Sequence, residues 1–228
     1  MEVEADPILD RMQRLLDEWE VAGDGRAVFL DCYVTMTRAV HAELDDGFFD
    51  DDAWVRSLLD RFADYYFDSI DGGPDAVEIP APWGLAHAAA VGHDAAPVQL
   101  LLAGINAHIN YDLVLTLVDV LDDEWPRLDS VGRARRRADY DRINEVIEAT
   151  ADTVQDHVLE RRSPWLDLFD RGLGRWDETL AVRLLSSWRS RVWQEATKVL
   201  DLDEPAARTA RTARLSQRCA RRATWLLL

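Results

Sequence analysis

The chain has 228 residues, with 43 acidic against 26 basic side chains, and its net charge of −17 repels phosphate backbones and so disfavours general nucleic-acid binding. Apolar residues make up 48% of it, and nine Trp, six Phe and five Tyr need a folded interior, which excludes a wholly disordered chain.

Helical periodicity dominates from the start. Ile8, Leu9, Met12, Leu15, Leu16 and Trp19 recur at three- and four-residue steps, the apolar stripe of an amphipathic helix that Gly23-Asp24-Gly25 ends. A second helix is expected from about Ala27 to Glu43, with Phe29, Tyr33, Met36, Thr37 and Val40 on one side and Asp45-Asp46-Gly47 as its stop. The third begins near Asp51 or Asp52, where acids suit the positive end of the helix dipole, and carries Trp54, Leu58, Phe62, Tyr65 and Tyr66. Residues 71–82 read as a loop, Trp83 to about Val91 as a short helix, and Gly92-His93-Asp94 as a turn.

The next segment, Pro97 to about Asp122, opens with Pro in its first turn and would be ~39 Å long as a helix. A loop with an Arg cluster is expected over 123–138, a helix from Asp139 to Glu160, and a break at Ser163-Pro164-Trp165. Trp176 to Leu200 and 204–222 complete the helices. No strand alternation persists, and no repeat or linker divides the chain. The pattern predicts an all-α, single-domain bundle of seven or eight helices around a buried central helix at about 97–122. Residues 1–204 form the domain, and 205–228 an Arg-rich C-terminal helix or tail.

The central segment is apolar on every side, which describes a helix buried all round. It is not read as a membrane span, because Asn106, His108, Asn110 and Asp112 interrupt its middle. At 100° per residue His108 and Asp112 lie about 40° apart, on one face with Leu101, Ile105 and Leu115. Asn106 and Asn110 pair on the opposite side. Each pair must meet a neighbour, a water or a ligand, since an unpaired buried polar group costs about 1–3 kcal/mol.

The run Asn106-Ala107-His108-Ile109-Asn110-Tyr111-Asp112-Leu113 resembles the signature of an uncharacterised family of bacterial and archaeal proteins, known as a domain of unknown function. Asp60-Arg61-Phe62-Ala63-Asp64-Tyr65-Tyr66, Asp141-Arg142-Ile143-Asn144 and Ser163-Pro164-Trp165 are similar to that family as well, so the likeness reaches to about residue 200. The resemblance implies a shared all-helical domain and brings no activity with it.

Two functional readings follow from His108-x-x-x-Asp112. In the first, a helical domain binds a small ligand or a protein partner beside a buried polar network. Asn106, His108, Asn110, Asp112, Tyr33, Asp64, Tyr65 and Asn144 are its candidate residues, and Tyr33, Tyr65, Tyr66, His108 and Asp112 the set expected to converge. Within that network, Asn106 and Asn110 would bridge to helices such as 51–70 or 139–160. In the alternative, His108 and Asp112 bind a divalent metal or act as a general-base pair in a metal-dependent hydrolase. Further ligands would come from His41, His87, His157, Asp156 or Asp64. His93-Asp94 also suggests the all-helical His-Asp phosphohydrolases, but it falls in a turn. Glu-x-x-His pairs, a Gly-rich phosphate loop, Gly-x-Ser-x-Gly and Cys-x-x-Cys are absent. Trp83, Trp165, Trp176, Trp188 and Trp193 could line an apolar pocket or anchor the core.

The charge is unevenly laid out. Residues 1–132 carry 28 acids and 7 bases, and the remainder 15 acids and 19 bases. The acid-free stretch Ala206–Arg222 groups six Arg in one helical sector, which suits docking onto the acidic half in the same chain or in a homo-oligomer. Asp supplies 30 of the 43 acids and Lys198 is the only Lys, a surface suited to high salt and hence to a halophile. Cys32 and Cys219 form no disulfide framework, and Met1 to Asp6 lacks the features of a signal peptide, so a cytoplasmic site is expected.

Overall fold

A computed structural model describes residues 6–71, 79–92, 95–154 and 178–228. Helix α1 (Pro7–Ala22) starts at Asp6, whose carboxylate accepts the N–H groups of Ile8 and Leu9 at 2.8 and 3.2 Å. It stops at Gly23, whose φ of 67° is open to glycine and strained for side chains with a Cβ. Helix α2 (Arg26–Asp45) and α3 (Asp52–Asp71) follow, with Asp51 capping α3 through a 3.0 Å bond from the Trp54 N–H. Then come α4 (Ala81–Gly92) and α5 (Pro97–Ala107), a π turn (His108–Asp112) and α6 (Leu113–Leu121). A 3₁₀ turn at Trp125–Arg127 leads to α7 (Ser130–Val154), and α8 (Glu178–Leu200) and α9 (Pro205–Leu226) close the described chain. No strand occurs among the described residues, and the fold is all-α.

Helix α7 begins inside what the sequence suggests is a loop at 123–138. The Asp129 carboxylate caps it by accepting the Gly132 N–H at 2.8 Å, and Arg is a good helix former. The Arg cluster hides the helical period because its side chains cover rings instead of making an apolar stripe. Arg133 lies 4.2 Å from the Trp125 ring centre, and Arg136 pairs with Glu124 and Asp51 at 2.7 and 2.6 Å. Buried Asp139, also on α7, accepts the Asp50 and Asp51 N–H groups at 2.8 and 3.1 Å and so anchors the entry to α3.

The α5–π–α6 rod is packed by α2, α3, α4, α8 and α9. Ala103, Asn106, Ala107, Thr116, Leu117 and Leu121 have no exposed surface, as expected of a central helix. Among the described residues this rod, Pro97–Leu121, is also the one helix long and apolar enough to cross a bilayer, and 72% of its apolar window is buried within the protein. Gly104 lets α2 come close, since a Cβ there would sit 2.5 Å from the Phe29 ring.

Helix α9 lies across α4 and α5, with Leu215, Cys219 and Ala223 buried beneath it. Arg208 pairs with Asp122 at 2.5 Å, whereas Arg211 and Arg218 turn to Glu195 of α8.

Candidate functional site

The rod changes pitch where its polar residues begin. The Leu113 N–H reaches back five residues to the His108 carbonyl, making one wide π turn. The Asn110 carbonyl accepts the Cys219 thiol at 3.4 Å, and the Asp112 carbonyl accepts the Thr116 hydroxyl at 2.9 Å. The extra residue in the turn resets which side chains share a face. An ideal α-helix groups Leu115 with His108, but Ile105, His108, Ile109 and Leu113 are the ones that line a common cavity.

Across the turn, His108 Nδ1 lies 3.0 Å from Asp112 Oδ2, and the Trp83 indole N–H donates to the same oxygen at 2.8 Å. The two side chains are 2% and 1% exposed. The imidazole stacks on Phe62, with ring centres 3.6 Å apart at 10°, and meets the Tyr33 ring at 4.3 Å. Burial raises the Asp112 pKa well above the carboxylate range and lowers that of His108 well below 6.5, so both are pressed toward their neutral forms. Oδ2 and Nδ1 share one hydrogen bond, which leaves Nε2 as the ring's other polar atom. That Nε2 is buried and has no hydrogen-bond partner.

His108 forms part of the wall of a partly open cavity of about 90 Å³ between α2, α3, α5, the π turn, α7 and α8. Its lining is almost wholly apolar, with Phe29, Met36, Val40, Leu58, Phe62 and Ile143 among the residues. Cys32 faces it too, and burial pushes that thiol up to about 12, so it is inert as a nucleophile and fills space. Burial also raises Tyr33 well above 10.

The other candidate residues divide. Tyr33 and Tyr66 converge on His108, the Tyr66 ring at 5.8 Å. Tyr65 does not converge with them: it donates to Asp119 at 2.8 Å on the far side of α3. Asp64 is exposed and sits 3.8 Å from Arg61. The Asn pair serves packing. Asn106 donates to the Cys219 carbonyl at 2.9 Å and accepts from Asn110 and Arg222, so the bridge runs to α9 and not to the helices near 51–70 or 139–160. Asn144 accepts from the Arg189 Nε. His41 bonds Asp6 at 2.9 Å, and His87 lies 3.2 Å from Ser69, so neither joins His108 and Asp112. Among the described residues no three His, Cys, Asp or Glu side chains gather to hold a metal ion. His93, Asp94, Asp156, His157, Trp165 and Trp176 fall outside the described residues. Trp83, Trp188 and Trp193 are buried core anchors, and none lines the cavity.

Sequence reasoning missed Arg189. The signal was present: it occupies the buried face of α8, with Trp188, Val192, Trp193 and Ala196, where a charged side chain has no solvent to reach.

Over residues 5–228 the chain matches a family described as "Family of unknown function (DUF5995)". That match extends through α9, beyond the region where short motifs alone carry a likeness. No curated protein matches the chain, and neither does any solved structure.

Proposed function

The chain belongs to DUF5995, a family of unknown function, and we propose that it is a helical small-molecule-binding domain whose ligand occupies the cavity beside His108. One observation carries this reading: a buried imidazole nitrogen with no partner on a ring that forms part of the wall of an apolar cavity. A folded protein leaves few buried polar atoms unsatisfied, and a polar group on a ligand would satisfy this one. Apolar lining with one or two placed polar groups is the usual build of a ligand site. The Trp83–Asp112–His108 chain fixes the ring so that the free nitrogen keeps one direction.

The cavity is smaller than the ~150 Å³ engineered one that binds benzene, but it is partly open, so ligands of up to about six heavy atoms, with part of the molecule at the mouth, are the size to test. Small ketones, alcohols and acids are titrated in molar KCl while the melting temperature is followed. Saturable stabilisation is expected. Cys32→Leu adds carbon atoms to the cavity wall and should abolish the shift while the protein stays folded. Uniform, non-saturating shifts that survive Cys32→Leu would refute the reading.

A further inference from the structure

Arg189 shares the cavity wall with Phe29, Phe62, Ile109, Ile143 and Ile147. It is 3% exposed, and its guanidinium lies 4.5 Å from the Tyr140 ring centre. Its donors meet neutral acceptors: Nε reaches the Asn144 side-chain oxygen, and Nη2 the Tyr140 carbonyl at 3.5 Å. Nη1 makes no hydrogen bond among the described residues. No carboxylate among the described residues pairs with it either. Asp141, whose field reaches Arg189, is held by Arg137 at 2.6 Å.

An Arg keeps its proton even when buried, and a buried cation without a counter-charge is costly. The cavity wall therefore holds one formal positive charge. His108 adds a neutral imidazole, and none of the wall residues is acidic. We propose that the ligand of this cavity is a small monocarboxylic acid with an apolar body, its carboxylate paired with Arg189 and its hydrocarbon packed among the aromatic and aliphatic side chains of α2 and α3. This inference rests on the cavity being the ligand site and adds the ligand's class. A carboxylate matches the planar guanidinium, and the anion meets a charge that no carboxylate among the described residues meets.

Butyrate and butyramide share heavy-atom count and shape and differ in charge, so their affinities isolate the carboxylate. Calorimetric titration in molar KCl screens attraction to surface Arg while leaving a buried pair intact. Butyrate is expected to bind about tenfold more tightly than butyramide. Arg189→Gln should bring that ratio close to one. If Arg189→Gln does not fold, the wild-type ratio is joined by a nuclear Overhauser contact between butyrate's α-methylene and the Arg189 side chain, which pairing requires. Equal binding of acid and amide, or a ratio unchanged in Arg189→Gln, overturns the acid while the ketone and alcohol titrations still support the cavity. Failure of every compound overturns both readings together.

Discussion

His87 stacks on Trp83 with ring centres 5.1 Å apart, and burial, followed by the Arg26 charge, lowers its pKa to about 4. The unfolded chain returns it to about 6.5. Between those two values the unfolded state binds a proton that the folded state refuses, so stability is full above 6.5 and falls as pH drops toward 4. The slope from one such histidine is about 1.4 kcal/mol per pH unit at most, and partial exposure reduces it. Urea denaturation of the wild type and His87→Gln across pH 7 to 5 should show a flatter profile in the variant; parallel profiles would remove His87 from the linkage. His108 is a poorer reporter, because burial of its partner Asp112 favours the protonated carboxyl and opposes the histidine. At this scale the sequence discloses what is local. His108 and Asp112 are four residues apart, so their pairing follows from helical spacing. Trp83, 29 positions away from Asp112, gives no such sign, and neither does the Arg189–Asn144 bond across 45 positions.

Element by element, the apolar stripes foretell α1, α2, α3 and the central rod within a few residues of where they lie, because each buries one face or all faces. Two features escape that logic. The start of α7 is set by a cap at Asp129 and by Arg guanidinium groups over Trp rings, which carry no apolar period. The π turn depends on neighbours that accept its altered face and on Cys219 and Thr116 for its carbonyls. The contact of α2 with α5 tests how tightly these elements are set. In Gly104→Ala the new Cβ would fall 2.5 to 2.8 Å from the Phe29 ring and its Cβ, so flexible side-chain ends cannot absorb the clash. The expected cost is about 1–3 kcal/mol, read as a lower urea midpoint at unchanged slope. Phe29 also lines the cavity, so the same variant should lose ligand-induced stabilisation. A Gly104→Ala protein as stable as the wild type would show that the two helices are free to separate.

Over the whole molecule, 43 acids against 26 bases set repulsion against a network of ion pairs, and salt weakens both. The pairs include Arg136 with Glu124 and Asp51, Arg142 with Asp50, and Arg208 with Asp122. Exposed pairs of this kind contribute about 0–1 kcal/mol each, so their screening costs little. The net charge of −17 acts on every acidic side chain at once, and 30 of the acids are short-stemmed Asp close to the backbone. Repulsion therefore wins, and the melting temperature should rise as KCl is raised, steeply at first while the Debye length shrinks from ~10 Å to ~3 Å. Beyond about 1 M the screening is spent, and any further rise must come from hydration of the acidic surface, which a shift continuing in KCl but absent in an equal concentration of sucrose would identify. We expect both phases, because the Asp-rich, Lys-poor composition suits a surface for high salt. A melting temperature that falls with salt would mean that the ion pairs outweigh the net charge, and the Asp-rich surface would then need another explanation.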